Sequence, residues 1–318
     1  QNTSGANNTA VGRAALNDNS TGASNTAVGK SALTANTTAG FNTAVGYEAL
    51  KTNTTGNYNT AVGDQALAAN TTGVRNTAIG RQTLLVNTTG DYNLAVGFNS
   101  LDSNTTGNDN VGLGYVTLAS NTTGVDNTAV GNSALQENTT ANNNTAVGRY
   151  ALYANTTGGN NTAVGSYTAD AITTADDCTA VGQGSLTVAT TGSSNTALGK
   201  ASLHLTTTGA ENTALGASAL YANTTGVENT AVGKDTGTTI TTGSRNTIIG
   251  DGSDVSAAGG NDQMLFGRGL TGKGDDTFFV GGANGAYQHN NSSSWSTTSD
   301  RRIKKNIVDN TTGLDKIN

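Results

Sequence analysis

Few side chains in this chain are placed to do chemistry. Gly267, Gly269 and Gly272 spell a G-x-G-x-x-G run, and Gly272-Lys273 nearly completes a phosphate-binding loop. That pattern cradles phosphate only between a strand and a helix, and Gly274 stands where a Ser or Thr would hold magnesium, so nucleotide binding is set aside. His204 and His289 are far apart and lack Cys or acidic companions, so no metal site is expected from them. Asp176-Asp177, beside Cys178, could offer oxygens to calcium, but the pair reads first as a solvated turn. The recurrent Asn-Thr-Thr triplets match the acceptor pattern for N-glycosylation, which matters only in a host that glycosylates Asn. Thr-rich coils can bind ice, but the two Thr of each triplet are adjacent and point to opposite faces, so a flat array is not encoded there. No paired carboxylates and no Ser/His/Asp set recur, and no cofactor or external substrate is expected.

What must position any of these residues is a repeat. A Gly recurs every 17 residues from Gly12, Gly29 and Gly46 to Gly250, giving fifteen copies without insertion or deletion. The consensus is N-T-A-V-G-x-x-A-L-x-x-N-T-T-G-x-x. A fixed period of this length is the signature of a stacked, quasi-one-dimensional architecture. An uninterrupted array also offers no inserted loops, where the sites of enzymes usually sit.

Stacking the copies turns each repeat position into a column. The residue before the marker Gly is always aliphatic (Val11, Val28, Ile79, Leu113, Ile249), and the one before that is Ala in thirteen copies, with Gly112 and Ile248 as exceptions. Four residues after the Gly stands Leu in twelve copies, the failures being Ala169, Gly237 and Asp254. N-T-A-V reads as a short strand, Gly as a turn at positive φ, x-x-A-L as a second strand, and N-T-T-G as the closing turn. In this reading Val and Leu point into a narrow roll and Ala takes the other face of the first strand. A strand apolar on both sides is normally covered on both sides. A narrow roll cannot do that for itself, so the expectation is that three chains pack together.

Two Asn columns run along the array. One passes through Asn8, Asn25, Asn42 and Asn59 and is broken only by Cys178; the other includes Asn36, Asn53, Asn70, Asn87, Asn104 and Asn121. Amides stacked at the strand spacing of roughly 4.8 Å can hydrogen-bond along the rod, and fifteen coils make a shaft on the order of 70 Å. The positions just after the marker Gly (Arg13, Lys30, Tyr47, Asp64, Arg81, Phe98, Tyr115) should face solvent.

The net charge of −6 argues against a nucleic-acid surface, which needs clustered Lys and Arg. No apolar run is long enough to insert in a membrane. The single Cys excludes an intrachain disulfide framework. Asn2-Thr3-Ser4-Gly5 already sits in the register of N-T-T-G, so a further N-terminal region is expected.

The A-V-G and A-I-G coils over residues 8–250 resemble the head repeats of trimeric autotransporter adhesins, although the 17-residue step is longer than is typical there. Similar arrays occur in phage tail fibres and bacterial surface proteins. The resemblance implies a trimeric, all-β parallel β-solenoid (β-roll), its chains intertwined or side by side. A second resemblance lies in Ser299-Asp300-Arg301-Arg302-Ile303-Lys304-Lys305-Asn306-Ile307, with Trp295 just ahead of it. This string is similar to the start of the endosialidase-type intramolecular chaperone, a self-cleaving module that ends many phage fibres. It implies Ser299 as nucleophile, Lys304 as the base that activates it, and a cut just before Ser299; only 20 residues follow that point here. The expected organisation is a shaft over 1–250, a degenerate last coil, cap and β-rich neck over 251–298, and the chaperone start over 299–318. The expected function is a homotrimeric fibre on a virion, a tail-fibre shaft or tip binding a host-surface receptor or glycan. The alternative is an adhesin or extracellular filament on a bacterial surface.

Overall fold

The computed structural model describes residues 3–282, together with the backbone of two short strands at 286–289 and 296–297. It is a parallel β-solenoid with no helix among the described residues. Three-residue strands run from β1 (Thr9–Val11) and β2 (Thr26–Val28) to β15 (Thr247–Ile249), each ending just before a marker glycine. Every strand pairs in parallel with the next at a shift of one repeat: Thr9 lies beside Thr26, Ala10 beside Ala27 and Val11 beside Val28. The stack continues into β16 (Met264–Phe266), where Met264 faces Thr247 and Gly267 takes the marker position. A shorter coil then leads to β17 (Thr277–Val280), where Phe278 faces Met264. The strands β18 (Ala286–His289) and β19 (Ser296–Thr297) turn antiparallel. Sixteen steps of one strand spacing make the shaft roughly 75 Å long.

Two expectations about the coil are corrected. The x-x-A-L segment is not a second strand. Between Gly63 and Asn70, Gln65 (φ 55) and Leu67 (φ 54) sit in the left-handed region, and the same two positions do so in coil after coil. A coil this short needs sharp corners, and these residues make them. A left-handed residue with a side chain costs roughly 1–2 kcal/mol. The cost is offset by burial, since Leu67 has no exposed surface, and by stacking, since its N–H donates to Thr83 O of the next coil at 2.9 Å.

The parity of the strand is also reversed. Ala27, Ala44 and Ala61, at the strand centres, are fully buried against the Leu column, while Thr and Val on either side of each Ala point outward. The interior is too narrow for two large side chains. It holds one Leu, the strand Ala and a second small residue per coil, such as Ala66, Thr83 or Ser100.

Polar columns close the core. The Asn59 Nδ2 donates to Gly73 O at 2.8 Å, across the same coil, and the Asn59 N–H donates to Asn42 Oδ1 of the preceding coil at 2.8 Å. In the second column the amides bond each other: Asn70 Nδ2 donates to Asn53 Oδ1 at 2.8 Å and to Gly73 O at 2.9 Å. Buried amides left without partners would cost about 1–3 kcal/mol each, so the columns fix the register as well as fill space.

The exceptions in the sequence explain one another. Where Leu gives way to Ala169 or Gly237, the Asn three residues later becomes Ile172 or Ile240, both fully buried. A Cβ added to Gly237 would lie 3.5 Å from Ile240 Cδ1, so the isoleucine occupies the space the leucine vacates. Core volume is kept, as close packing requires. The amide ladder is interrupted instead: Asn155 Oδ1 and Asn223 Oδ1, each one coil before an Ile, are buried without a partner. At Asp254 the third missing Leu is replaced by a carboxylate that accepts from Thr238 Oγ1 (3.0 Å), Thr239 N–H (2.8 Å) and Thr239 Oγ1 (2.8 Å). Beyond it the larger apolar residues Leu265, Leu270 and Phe279 are buried in the last coils.

Candidate functional site

The outward side of the parallel sheet is the most distinctive surface. Its strands present a Thr column and an aliphatic column side by side. Val62 (36% exposed), Ile79 (40%), Leu198 (48%) and Ile249 (39%) belong to a stripe that runs the length of the shaft. Strand pairing in exact register leaves no freedom to bury this column, because the period of two that sends Ala inside sends Val outside.

A second surface consists of side chains stacked one repeat apart. Phe41 and Tyr58 stack with ring centroids 5.1 Å apart, and the Arg75 guanidinium lies between Tyr58 (5.6 Å) and Tyr92 (5.3 Å). In the column after the marker Gly, Lys30 lies over Tyr47 at 5.2 Å, Arg81 bonds Asp64 at 3.3 Å and covers Phe98 at 5.5 Å, and Phe98 stacks on Tyr115 at 5.5 Å. Tyr47 and Tyr115 face solvent as expected. Near the end of the shaft, Arg245 grips Asp262 with two bonds of 2.8 Å, which holds the Asp262 carboxyl below its ordinary range and raises the Arg245 guanidinium. Such exposed pairs contribute little each. They reflect one geometric fact: residues one repeat apart are one strand spacing apart in space.

The residues singled out in the sequence fall as follows. Gly267 is a marker glycine and Gly269 a left-handed corner, and no helix follows them among the described residues, so the G-x-G-x-x-G run belongs to the coil itself. His204 stacks on Tyr221 at 5.1 Å, and its Nδ1 lies 2.9 Å from Gly184 O; His289 lies on β18. The Asp176 carboxylate accepts the Gly159 N–H at 2.6 Å, the same inter-coil bond that Asn57 makes with Gly40 (2.7 Å). No group of three or more metal-ligating side chains gathers among the described residues, and no helix there is long and apolar enough to cross a membrane. The Asn of most Asn-Thr-Thr triplets, Asn36 and Asn53 among them, are fully buried, so their amides are closed to glycosylation in the folded chain. Ser299 and Lys304 lie outside the described residues.

Cys178 is buried where other coils carry Asn, and burial raises its thiol pKa, so it is no reactive nucleophile. Its sulfur makes a weak bond to Gly192 O at 3.4 Å, and it has no amide oxygen for the next coil. Cys178→Asn is therefore expected to restore the column and stabilise the fold by about 1 kcal/mol, read as a raised urea midpoint. An unchanged or lowered midpoint would contradict that account of the column.

No protein-family model matches the chain, and no curated protein is significantly similar to it.

Proposed function

We propose that this chain is the shaft of a homotrimeric extracellular fibre, a phage tail-fibre shaft or tip that helps attach a virion to its host. The observation that carries the reading is the aliphatic stripe on the outer face of the sheet. Its members are partly or fully exposed from Val11 to Ile249, and a contiguous apolar surface of this extent marks an interaction site. Three copies meeting along this stripe would cover it, and an array without inserted loops suits a spacer better than an enzyme. The identical coils could pair between chains in several registers at small cost, which is where a registering device is needed. The string from Ser299 to Ile307, similar to a self-cleaving chaperone, supports such a device, with Ser299 as its nucleophile and Lys304 as the activating base.

Light scattering on the purified chain at micromolar concentration tests the assembly. Three times the chain mass is expected for the native sequence. A variant with Ile79→Lys and Val147→Lys, which places charges on the stripe without touching the interior, should keep its circular dichroism spectrum and fall to the mass of one chain. A folded native monomer would refute the trimer.

A further inference from the structure

A depression interrupts the regular surface of the shaft. It has a volume of about 310 Å³ and is lined by Tyr167, Asp170, Gln183, Gly184, Lys200 and His204, drawn from three successive coils. Its origin is a missing side chain. The second position after the marker glycine carries Tyr150 in one coil and Tyr167 in the next, with rings stacked 5.2 Å apart, and then Gly184. The column of rings stops, and the face of Tyr167 toward the following coil has no side chain over it from that position. A Cβ at Gly184 would lie 3.6 Å from Thr187 Oγ1 and 3.9 Å from His204 Nδ1, ordinary contact distances, so the site could hold a side chain but is left open.

The polar groups around this gap are unequal in their needs. Asp170 Oδ1 is buried without a hydrogen-bond partner, and burial raises the pKa of its carboxyl. His204 is fixed by its Nδ1 contact to Gly184 O and by its stack on Tyr221, and its ring lines the depression. Gln183 and Lys200 are exposed at the rim and supply donors. An aromatic face, a half-buried carboxylate, and amide and ammonium donors at the edge match a compact polyhydroxylated ring. The C–H face of such a ring packs on an aromatic face, while its hydroxyls both donate and accept. A bare anion would meet the Asp170 carboxylate, and a purely apolar ring would bury that carboxylate further without offering it a donor.

We propose that the depression at Gly184 binds a single pyranose unit of a glycan, with the sugar taking the place of the missing ring above Tyr167 and donating a hydroxyl to Asp170. Sugar binding stands on this geometry alone; its use in host attachment rests on the fibre reading above.

The test is saturation-transfer NMR of the full chain with methyl glycosides of glucose, galactose, mannose, N-acetylglucosamine and N-acetylgalactosamine. At least one should bind the native chain. Its affinity should fall by about tenfold or more in Asp170→Asn, the loss of one hydrogen bond to a charged group. Binding should vanish in Gly184→Tyr, which completes the ring column at a position where Tyr150 and Tyr167 already adopt the same left-handed backbone. Gly252→Tyr, at the equivalent position of a later coil, should bind as the native chain does. The proposal is overturned if no glycoside of the panel binds the native chain, or if binding survives Gly184→Tyr. Either result leaves the trimer untouched, since light scattering decides that separately.

Discussion

Replacing Gly131 by alanine is expected to cost at least about 3 kcal/mol, because two separate penalties meet at a marker glycine. Its φ of 129° lies in a region essentially closed to residues with a side chain, which by itself costs on the order of 1–3 kcal/mol. The added Cβ would also stand 2.6 Å from Gly148 O and 2.7 Å from Gly148 C, backbone atoms of the next coil. That carbonyl cannot retreat without prising β8 (Thr128–Val130) from β9 (Thr145–Val147). Each coil contacts mainly its neighbours, so the break should divide the rod into two halves that melt separately. Urea unfolding followed by circular dichroism would show a lowered first transition and a broader profile. The comparison is Gly124→Ala, ten residues after a marker, at the position that carries Ala39, Ala141 and Ala175 in other coils. Its Cβ would meet Ala141 O as closely, at 2.4 Å, but its backbone is not in the positive-φ region and three coils already carry Ala there, so the loss should be smaller. Near-equal effects at the two positions would mean that the positive φ of the markers does not explain the unbroken glycine column.

The contrast between those columns shows what the sequence could and could not reveal. Fifteen in-register copies act as an internal alignment, so an invariant Gly and near-invariant Asn could be assigned to turns and ladders before any coordinates. The strand's parity could not be read the same way. Ala and Val are both apolar, and which faces inward depends on how much room the opposite wall leaves; Leu67 and its equivalents fill that room and leave space only for Ala. The x-x-A-L segment misled for a different reason. Leu in a left-handed conformation runs against local preference, and only stacking with the coils on either side holds it there. The pairing of Ala169 with Ile172 and of Gly237 with Ile240 was visible in the letters, but its meaning depends on knowing that the two side chains share one small interior. Likewise Gly184 looked like any variable position until Tyr167 was seen stacked beneath it with open space above. Ser299 and Lys304 were identified by similarity of a string alone, and nothing in the folding of the shaft bears on them.

The polar columns make the second large prediction. Asn110→Asp changes one atom in a fully buried side chain, and at neutral pH it should destabilise the shaft by about 3–5 kcal/mol, the cost of a buried charge left uncompensated. In the native chain Asn110 Nδ2 donates to Gly124 O at 2.8 Å and lies 3.2 Å from Asn93 Oδ1, while its own Oδ1 accepts the Asn127 N–H at 3.1 Å. A carboxylate keeps the last bond but turns an oxygen toward the other two oxygens, with no proton to share. The neutral acid can donate to Gly124 O as the amide did, so the folded state favours protonation and raises the carboxyl above its unfolded value of about 3.9. The sign follows from proton counting. Between the unfolded and the raised folded pKa the native state holds more protons, so the variant loses stability as pH rises through that window and regains it on acidification. Urea midpoints measured across that window should therefore converge with those of the native chain toward low pH and separate toward neutrality. Asn110→Leu, which carries no titratable group, should show no such convergence. If Asn110→Asp matched the native chain at neutral pH, the buried amide column would not be what holds one coil over the next.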